Sequence, residues 1–139
     1  MLHKLDHYRI HGGLLSWLAD FLTSRKQQVV IEGQRSSSAD VTSGVPQGSV
    51  LGPLLFSCFI IDLPNQIRCN IKLYADDVLL YLTINTVDDC HRLQRDLITL
   101  EQWACKWHMV FNLTKCEFLK VSNKINPILM HCFIQGQEI

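Results

Sequence analysis

The sequence predicts an α+β fold, antiparallel strands with helices packed on one face. Three observations carry this reading. Apolar residues recur at helical spacing in separate stretches, short β-rich runs come in pairs joined by turn residues, and no repeat, linker or low-complexity segment interrupts the 139 residues. The resulting order is helix, helix, hairpin, helix, hairpin, helix, strand, strand.

The opening MLHKLDHYRIHGG sets Leu2, Leu5 and Ile10 near helical spacing and ends on Gly12-Gly13, which suits a short helix with a glycine stop. In LLSWLADFLTSRK, residues Leu14, Trp17, Leu18, Phe21 and Leu22 form the stripe of an amphipathic helix that ends in Arg25 and Lys26. QQVVIEGQ and ADVTSGV are β-rich and flank the polar run GQRSSS, as in a hairpin with a loose turn. GVPQGSVLGPLLFSCFIIDLP then reads as a shaped loop running into an apolar helix that Pro64 ends.

NIKLYA and VLLYLTI are short β-type runs on either side of Asp76 and Asp77, a tight hairpin with acids at its tip. From Thr86 to Trp107, the residues Val87, Cys90, Leu93, Leu97, Leu100, Trp103 and Ala104 follow helical spacing, with Thr86 or Asp88 as N-cap. MVFNLTKCEFLKVS reads as a loop entering a strand, and ILMHCFIQGQEI as a further strand with a turn at Gly136.

Nearly half the residues are apolar and the 13 basic and 13 acidic side chains balance, which fits a globular chain rather than a disordered or acidic tail. A net charge of zero gives no basic footprint for nucleic acid. The six cysteines stand singly, without a CxxC pair or a signal peptide before them, and read as reduced core thiols of an intracellular protein, nuclear or cytoplasmic and not secreted. Val50 to Ile61, the longest apolar run, is broken by Gly52, Pro53 and Ser57 and is too short to span a bilayer, so no membrane partner is expected.

Asp76 and Asp77 pose a chemical question, because adjacent carboxylates ionise together at low cost only beside a cation. A hard ion such as Mg²⁺ prefers carboxylate oxygen and keeps positions for water and substrate phosphates, which suits phosphoryl or nucleotidyl transfer. Asp-Asp is equally a well-solvated turn, so the dipeptide alone leaves both readings open.

The surrounding motifs narrow the choice. SGVPQGSVLGPLLF, residues 43–56, then LYADDVLLY and LEQWACKWHMVFNLTKCEFL, resemble in order and spacing the reverse transcriptases of non-long-terminal-repeat, jockey-like retrotransposons. The resemblance runs from LHKLDHYRIHG to FIQGQEI and implies an incomplete reverse-transcriptase palm over residues 1–139, from after the first catalytic motif to the last palm strands. It implies Asp76 as principal ligand of two-metal chemistry with Mg²⁺ or Mn²⁺, Asp77 as its neighbour, and Tyr74 at the primer end of the turn. Pro46, Gln47 and Gly48 would lie against nucleotide and template, and Lys115 would assist the leaving pyrophosphate.

By the same resemblance a further metal-binding aspartate, in an AFD-type block, precedes the matched segment. The first palm strand, fingers and thumb are then missing. Asp6 falls after that block and Asp62 at a helix end, so neither replaces it. The parent enzyme would copy an RNA template from a DNA primer with dNTPs, while this chain alone is expected to be inactive and to bind nucleic acid weakly or not at all. The alternative is a decayed or domesticated fragment acting as a non-catalytic nucleic-acid or protein interaction module. A nuclease built on the same acids lacks a third clustered acid or a histidine near the tip.

Other constellations have plain structural readings beside functional ones. His3, His7 and His11 recur every four residues, as zinc ligands or as a solvated face. Trp103 and Trp107 could stack on bases or fill a core, and Arg25 and Lys26 could meet phosphates or complement a helix dipole.

Overall fold

A computed structural model describes all residues, 1–139, and divides into two compact units, Met1–Ile61 and Asp62–Ile139. The expected mixture of helices and antiparallel strands is present. The strands, however, form four separate two-stranded ladders, not a single sheet.

The first unit begins with α1 (Leu2–His7) and α2 (Gly12–Leu22). The glycine pair does not end α1. Arg9 does so in the left-handed conformation at φ 65, with Ile10 N–H donating to the Leu5 carbonyl and Arg9 N–H to that of Asp6, the paired bonds of a Schellman stop. Ile10 and Leu5 share the apolar cluster there, which supplies the hydrophobic contact that lets a non-glycine residue take this position. Gly12, at φ 63, instead opens α2.

The α2 stripe faces its core through Leu18, Leu15 and Leu22, packed with Leu5 and Leu55. Leu14 and Trp17 stay more than half exposed, so the buried face is rotated from the one expected.

The next segment is a nested hairpin. β1 (Arg25–Gln27) pairs with β4 (Ala39–Val41), and inside it β2 (Val30–Ile31) pairs with β3 (Gln34–Arg35). Glu32 and Gly33 both have positive φ, 48 and 81, the pattern of a type I′ turn whose twist matches flanking strands. The turn therefore sits one step earlier than the polar run GQRSSS suggested, and that run is partly strand. Ser36 joins the two ladders, donating its N–H to the Val29 carbonyl and accepting Val29 N–H on its hydroxyl. α3 (Leu51–Ile60) completes the unit; it stops at Ile60, and Pro64 lies beyond it in the 3₁₀ turn Leu63–Gln66.

In the second unit, β5 (Asn70–Tyr74) and β6 (Asp77–Tyr81) form a regular hairpin. α4 (Val87–Lys106) follows. Thr86 caps α4 reciprocally with Asp89, the hydroxyl accepting Asp89 N–H and the carboxylate accepting Thr86 N–H. Leu93, Leu97, Leu100, Trp103 and Ala104 are buried along α4 as the spacing predicts. Leu93 and Leu97 pack with Cys69, Cys132 and Ile134; full burial of each leucine is worth about 1.5–3 kcal/mol.

At the end of α4, His108 takes φ 55 and Met109 N–H returns to the Ala104 carbonyl, a second Schellman stop without glycine.

The strand expected at the end of MVFNLTKCEFLKVS does not form. Leu119 and Val121 are exposed and no ladder includes them; an extended segment with no hydrogen-bonding neighbour leaves its backbone groups to water. The final segment is a hairpin, β7 (Phe133–Ile134) with β8 (Gln137–Glu138), closed by Gln135 and Gly136 at φ 52 and 75. α4 holds it with side chains: Gln94 exchanges two hydrogen bonds with the Phe133 backbone and Glu101 accepts Gln135 N–H.

Candidate functional site

The β5–β6 ladder runs in strict register, Asn70 with Tyr81, Lys72 with Leu79 and Tyr74 with Asp77. Alternation exposes those six side chains, while Ile71, Leu73, Val78 and Leu80 are half-buried on the opposite face. Only Ala75 and Asp76 remain for the turn, and Ala75 adopts φ 51, as the first position of a type II′ turn requires.

Asp76 thus sits in the turn and Asp77 begins β6 opposite Tyr74, which is 82% exposed. Both acids are exposed, and none of the ion pairs of the chain involves either one. Two oxygen-rich side chains that face water suit a hard divalent ion holding several of its own waters. No group of three His, Cys, Asp or Glu side chains capable of holding a metal occurs in the chain.

The base of this hairpin is fixed by a residue that periodicity alone does not single out. Asp96, buried on α4, accepts Arg68 N–H at 2.9 Å and Cys69 N–H at 2.6 Å, just ahead of β5. Its signal in the sequence is an acid inside the apolar stripe, between Leu93 and Leu100. Burial pushes the Cys69 thiol up to about 12, with the hydrogen bond to Asp96 and its negative charge adding to the effect. Burial likewise raises Cys132, to about 11. These two are core thiols as expected, whereas Cys105 is exposed.

In the first unit, Pro46, Gln47 and Gly48 share one turn, with Gly48 at φ 76 and both Gln47 and Gly48 exposed. The Ser49 hydroxyl donates to the Pro46 carbonyl at 2.7 Å and accepts Gly52 N–H at 3.0 Å. Arg25 secures the approach to the turn: its Nη2 donates to the carbonyls of Ser43 and Gly44 at 3.1 and 2.6 Å, and its Nε to that of Leu22. That guanidinium serves main-chain carbonyls, including the C-terminal end of α2.

Lys115 closes the 3₁₀ turn Leu113–Lys115 and is exposed. The site residues therefore fall on three segments, Tyr74, Asp76 and Asp77 on the hairpin tip, Pro46 to Gly48 on the turn, and Lys115 by itself. His3 and His7 lie one turn apart on α1, but His11 does not continue their face. α1 ends at His7, and His11 caps the following helix and bonds Asp6 at 2.7 Å. Trp103 is core, buried on α4.

The acidic hairpin tip lies in the second unit and the glycine turn in the first; comparison with known proteins identifies the family of the chain. The chain belongs to the reverse transcriptase (RNA-dependent DNA polymerase) family, whose model matches residues 2–128. It is 38% identical over 122 residues to the RNA-directed DNA polymerase from mobile element jockey of Drosophila funebris, covering 81% of this chain and 13% of that protein.

It is also 36% identical over 146 residues to the probable RNA-directed DNA polymerase from transposon BS of Drosophila melanogaster, covering 96% of this chain and 15% of that protein. These relatives are non-long-terminal-repeat elements, the class that the motifs resemble. The chain thus spans about a seventh of their length or less. No solved structure matches it. No helix is long and apolar enough to cross a membrane.

Proposed function

We propose that residues 1–139 are part of the palm of a retroelement reverse transcriptase, carrying its acidic metal-binding hairpin but not a complete catalytic centre. The observation that carries this reading is the exposed tip of β5–β6, where Asp76 and Asp77 stand together in a chain whose family copies RNA into DNA. Asp76 and Asp77 hold Mg²⁺ or Mn²⁺, which when bound offsets phosphate charge in nucleotidyl transfer. The exposed Tyr74 ring, opposite Asp77, meets the primer end. Pro46, Gln47 and Gly48 line the nucleotide and template, and Lys115 offers a charged N–H donor to the leaving pyrophosphate.

Two carboxylates with no third acid gathered beside them leave the attacking and leaving oxygens of an in-line transfer poorly aligned. The chain alone therefore does not polymerise. RNA template, DNA primer and dNTP are partners of the longer enzyme, an intracellular one, and the neutral fragment binds nucleic acid weakly.

Titration of the ¹⁵N-labelled chain with Mn²⁺ tests the metal reading. Paramagnetic broadening is expected to be strongest at residues 74–78 and to fall off with distance along β5 and β6, and Asp76→Asn is expected to weaken it at least tenfold; broadening centred elsewhere, uniform broadening, or none, overturns the assignment. In a primer-extension reaction on an RNA template no product is expected, and product that Asp76→Asn abolishes would refute inactivity.

A further inference from the structure

α3 places a glycine, Gly52, in its first turn and buries it. The reason lies in what surrounds it. A Cβ at Gly52 would stand 2.8 Å from the Pro46 carbonyl oxygen, 3.1 Å from Ser49 Oγ and 3.7 Å from Val45 Cγ2. The nearest of these atoms is backbone, which cannot swing aside as a flexible side chain does. By contrast, a Cβ on Gly13, in α2, would meet nothing within 4 Å.

The missing side chain leaves room for a relay. The first N–H groups of a helix lack partners within it; here Gly52 N–H donates to Ser49 Oγ, and that hydroxyl donates onward to the Pro46 carbonyl. One hydroxyl therefore caps the helix and closes the turn. Arg25 holds the Ser43 and Gly44 carbonyls at the other end of the segment. The turn is pinned from behind and from its start, while Gln47 and Gly48 remain exposed and a Cβ at Gly48 would meet only open space.

We infer that Ser49 and Gly52 are positioning residues: the Ser49 hydroxyl and the bare face of Gly52 hold the Gln47–Gly48 turn against α3 in the conformation that meets nucleotide. This rests on the proposed reading of Gln47 and Gly48 as substrate-lining. Neither Ser49 nor Gly52 need touch substrate itself. Gly52→Ala drives the Pro46 carbonyl away, and Ser49→Ala removes the relay without adding bulk.

The test uses the ¹⁵N-labelled 139-residue chain and four variants, Gly52→Ala, Ser49→Ala, Ser49→Thr and Gly13→Ala. Exchange of the residue-52 amide is expected to rise at least tenfold in Gly52→Ala and Ser49→Ala, with a displaced Gly48 amide resonance. Ser49→Thr, which keeps the hydroxyl, and Gly13→Ala are expected to retain wild-type values. Titration with dTTP and Mg²⁺, followed at Gly48, is expected to give an affinity at least fivefold weaker in the first two variants than in the wild type.

If Gly52→Ala does not fold, Ser49→Ala decides the matter. Unchanged exchange in Ser49→Ala overturns the relay. A Gly48 resonance in the wild type that is indifferent to dTTP overturns the substrate reading of the turn, and with it the nucleotide half of this inference, while the exchange data still judge the relay separately.

Discussion

Two kinds of aspartate serve one hairpin, Asp76 and Asp77 at its tip and Asp96 of α4 at its base, and they differ in almost every physical respect. At the tip, Asp76 and Asp77 are exposed and belong to no ion pair; at the base, Asp96 is buried and accepts two main-chain N–H groups. A buried carboxylate survives only when its charge is met by donors, so Asp96 is committed to the fold. Exposed carboxylates side by side contribute little to folding and remain available to a cation. Acids that do not serve the fold are the better candidates for chemistry.

The sharpest way to break this contrast is to remove each kind in turn. Asp96→Ala leaves the Arg68 and Cys69 N–H groups without their acceptor, the latter buried, and is expected to destabilise the chain by about 2–4 kcal/mol. Joint replacement of Asp76 and Asp77 by Asn is expected to change stability by no more than about 0.5 kcal/mol. Urea unfolding of both variants measures the difference, and equal losses would erase the distinction between tip and base.

The same contrast explains what was legible in the sequence. The tip was readable because it is local: alternating residues on either side of Asp76-Asp77 specify the hairpin and its register. α4 was readable for the same reason, since its apolar period and the Thr86 and Asp89 cap lie within one stretch. The base was not, because the Asp96 bond joins residues 27 and 28 positions apart, and spacing shows only that an acid interrupts an apolar stripe.

Glycine misled in two places and guided in another. Gly12-Gly13 looked like a stop, but the Ile10 and Leu5 contact fixes the end of α1 at Arg9. At Glu32-Gly33 the turn was hidden inside a run that reads as strand. At Gly136 the turn was found, and only its strand partner was missed. The segment 116–121 has strand composition but no neighbour to pair with, a requirement that composition does not report. Of the candidate site, the hairpin and the VPQG turn follow from local motifs, whereas the supports from Ser49, Gly52, Arg25 and Asp96 needed the fold.

A smaller effect would sharpen the description of the tip. Ala75 takes φ 51, a conformation that strains a residue with a Cβ. Ala75→Gly is expected to stabilise the chain by about 0.5–1 kcal/mol, after allowing for the extra freedom glycine gives the unfolded chain. Urea unfolding checks the direction. A loss of stability would mean that the turn does not hold Ala75 in this conformation.

Asp89 falls between the two kinds, partly exposed yet committed to the fold through the start of α4. Hydrogen bonds from Asn85 N–H and from the hydroxyl and N–H of Thr86, with a lesser one from Arg92, hold its carboxyl below the usual carboxylate range. A carboxyl depressed in the folded state stabilises the fold above its unfolded pKa, and that contribution fades as pH falls through the folded value. Asp89→Asn lacks this titration. Between about pH 5 and pH 2 the wild-type chain is therefore expected to lose stability more steeply than the variant in urea titrations at stepped pH. Parallel slopes would place Asp89 with Asp76 and Asp77, as an acid that the fold does not use.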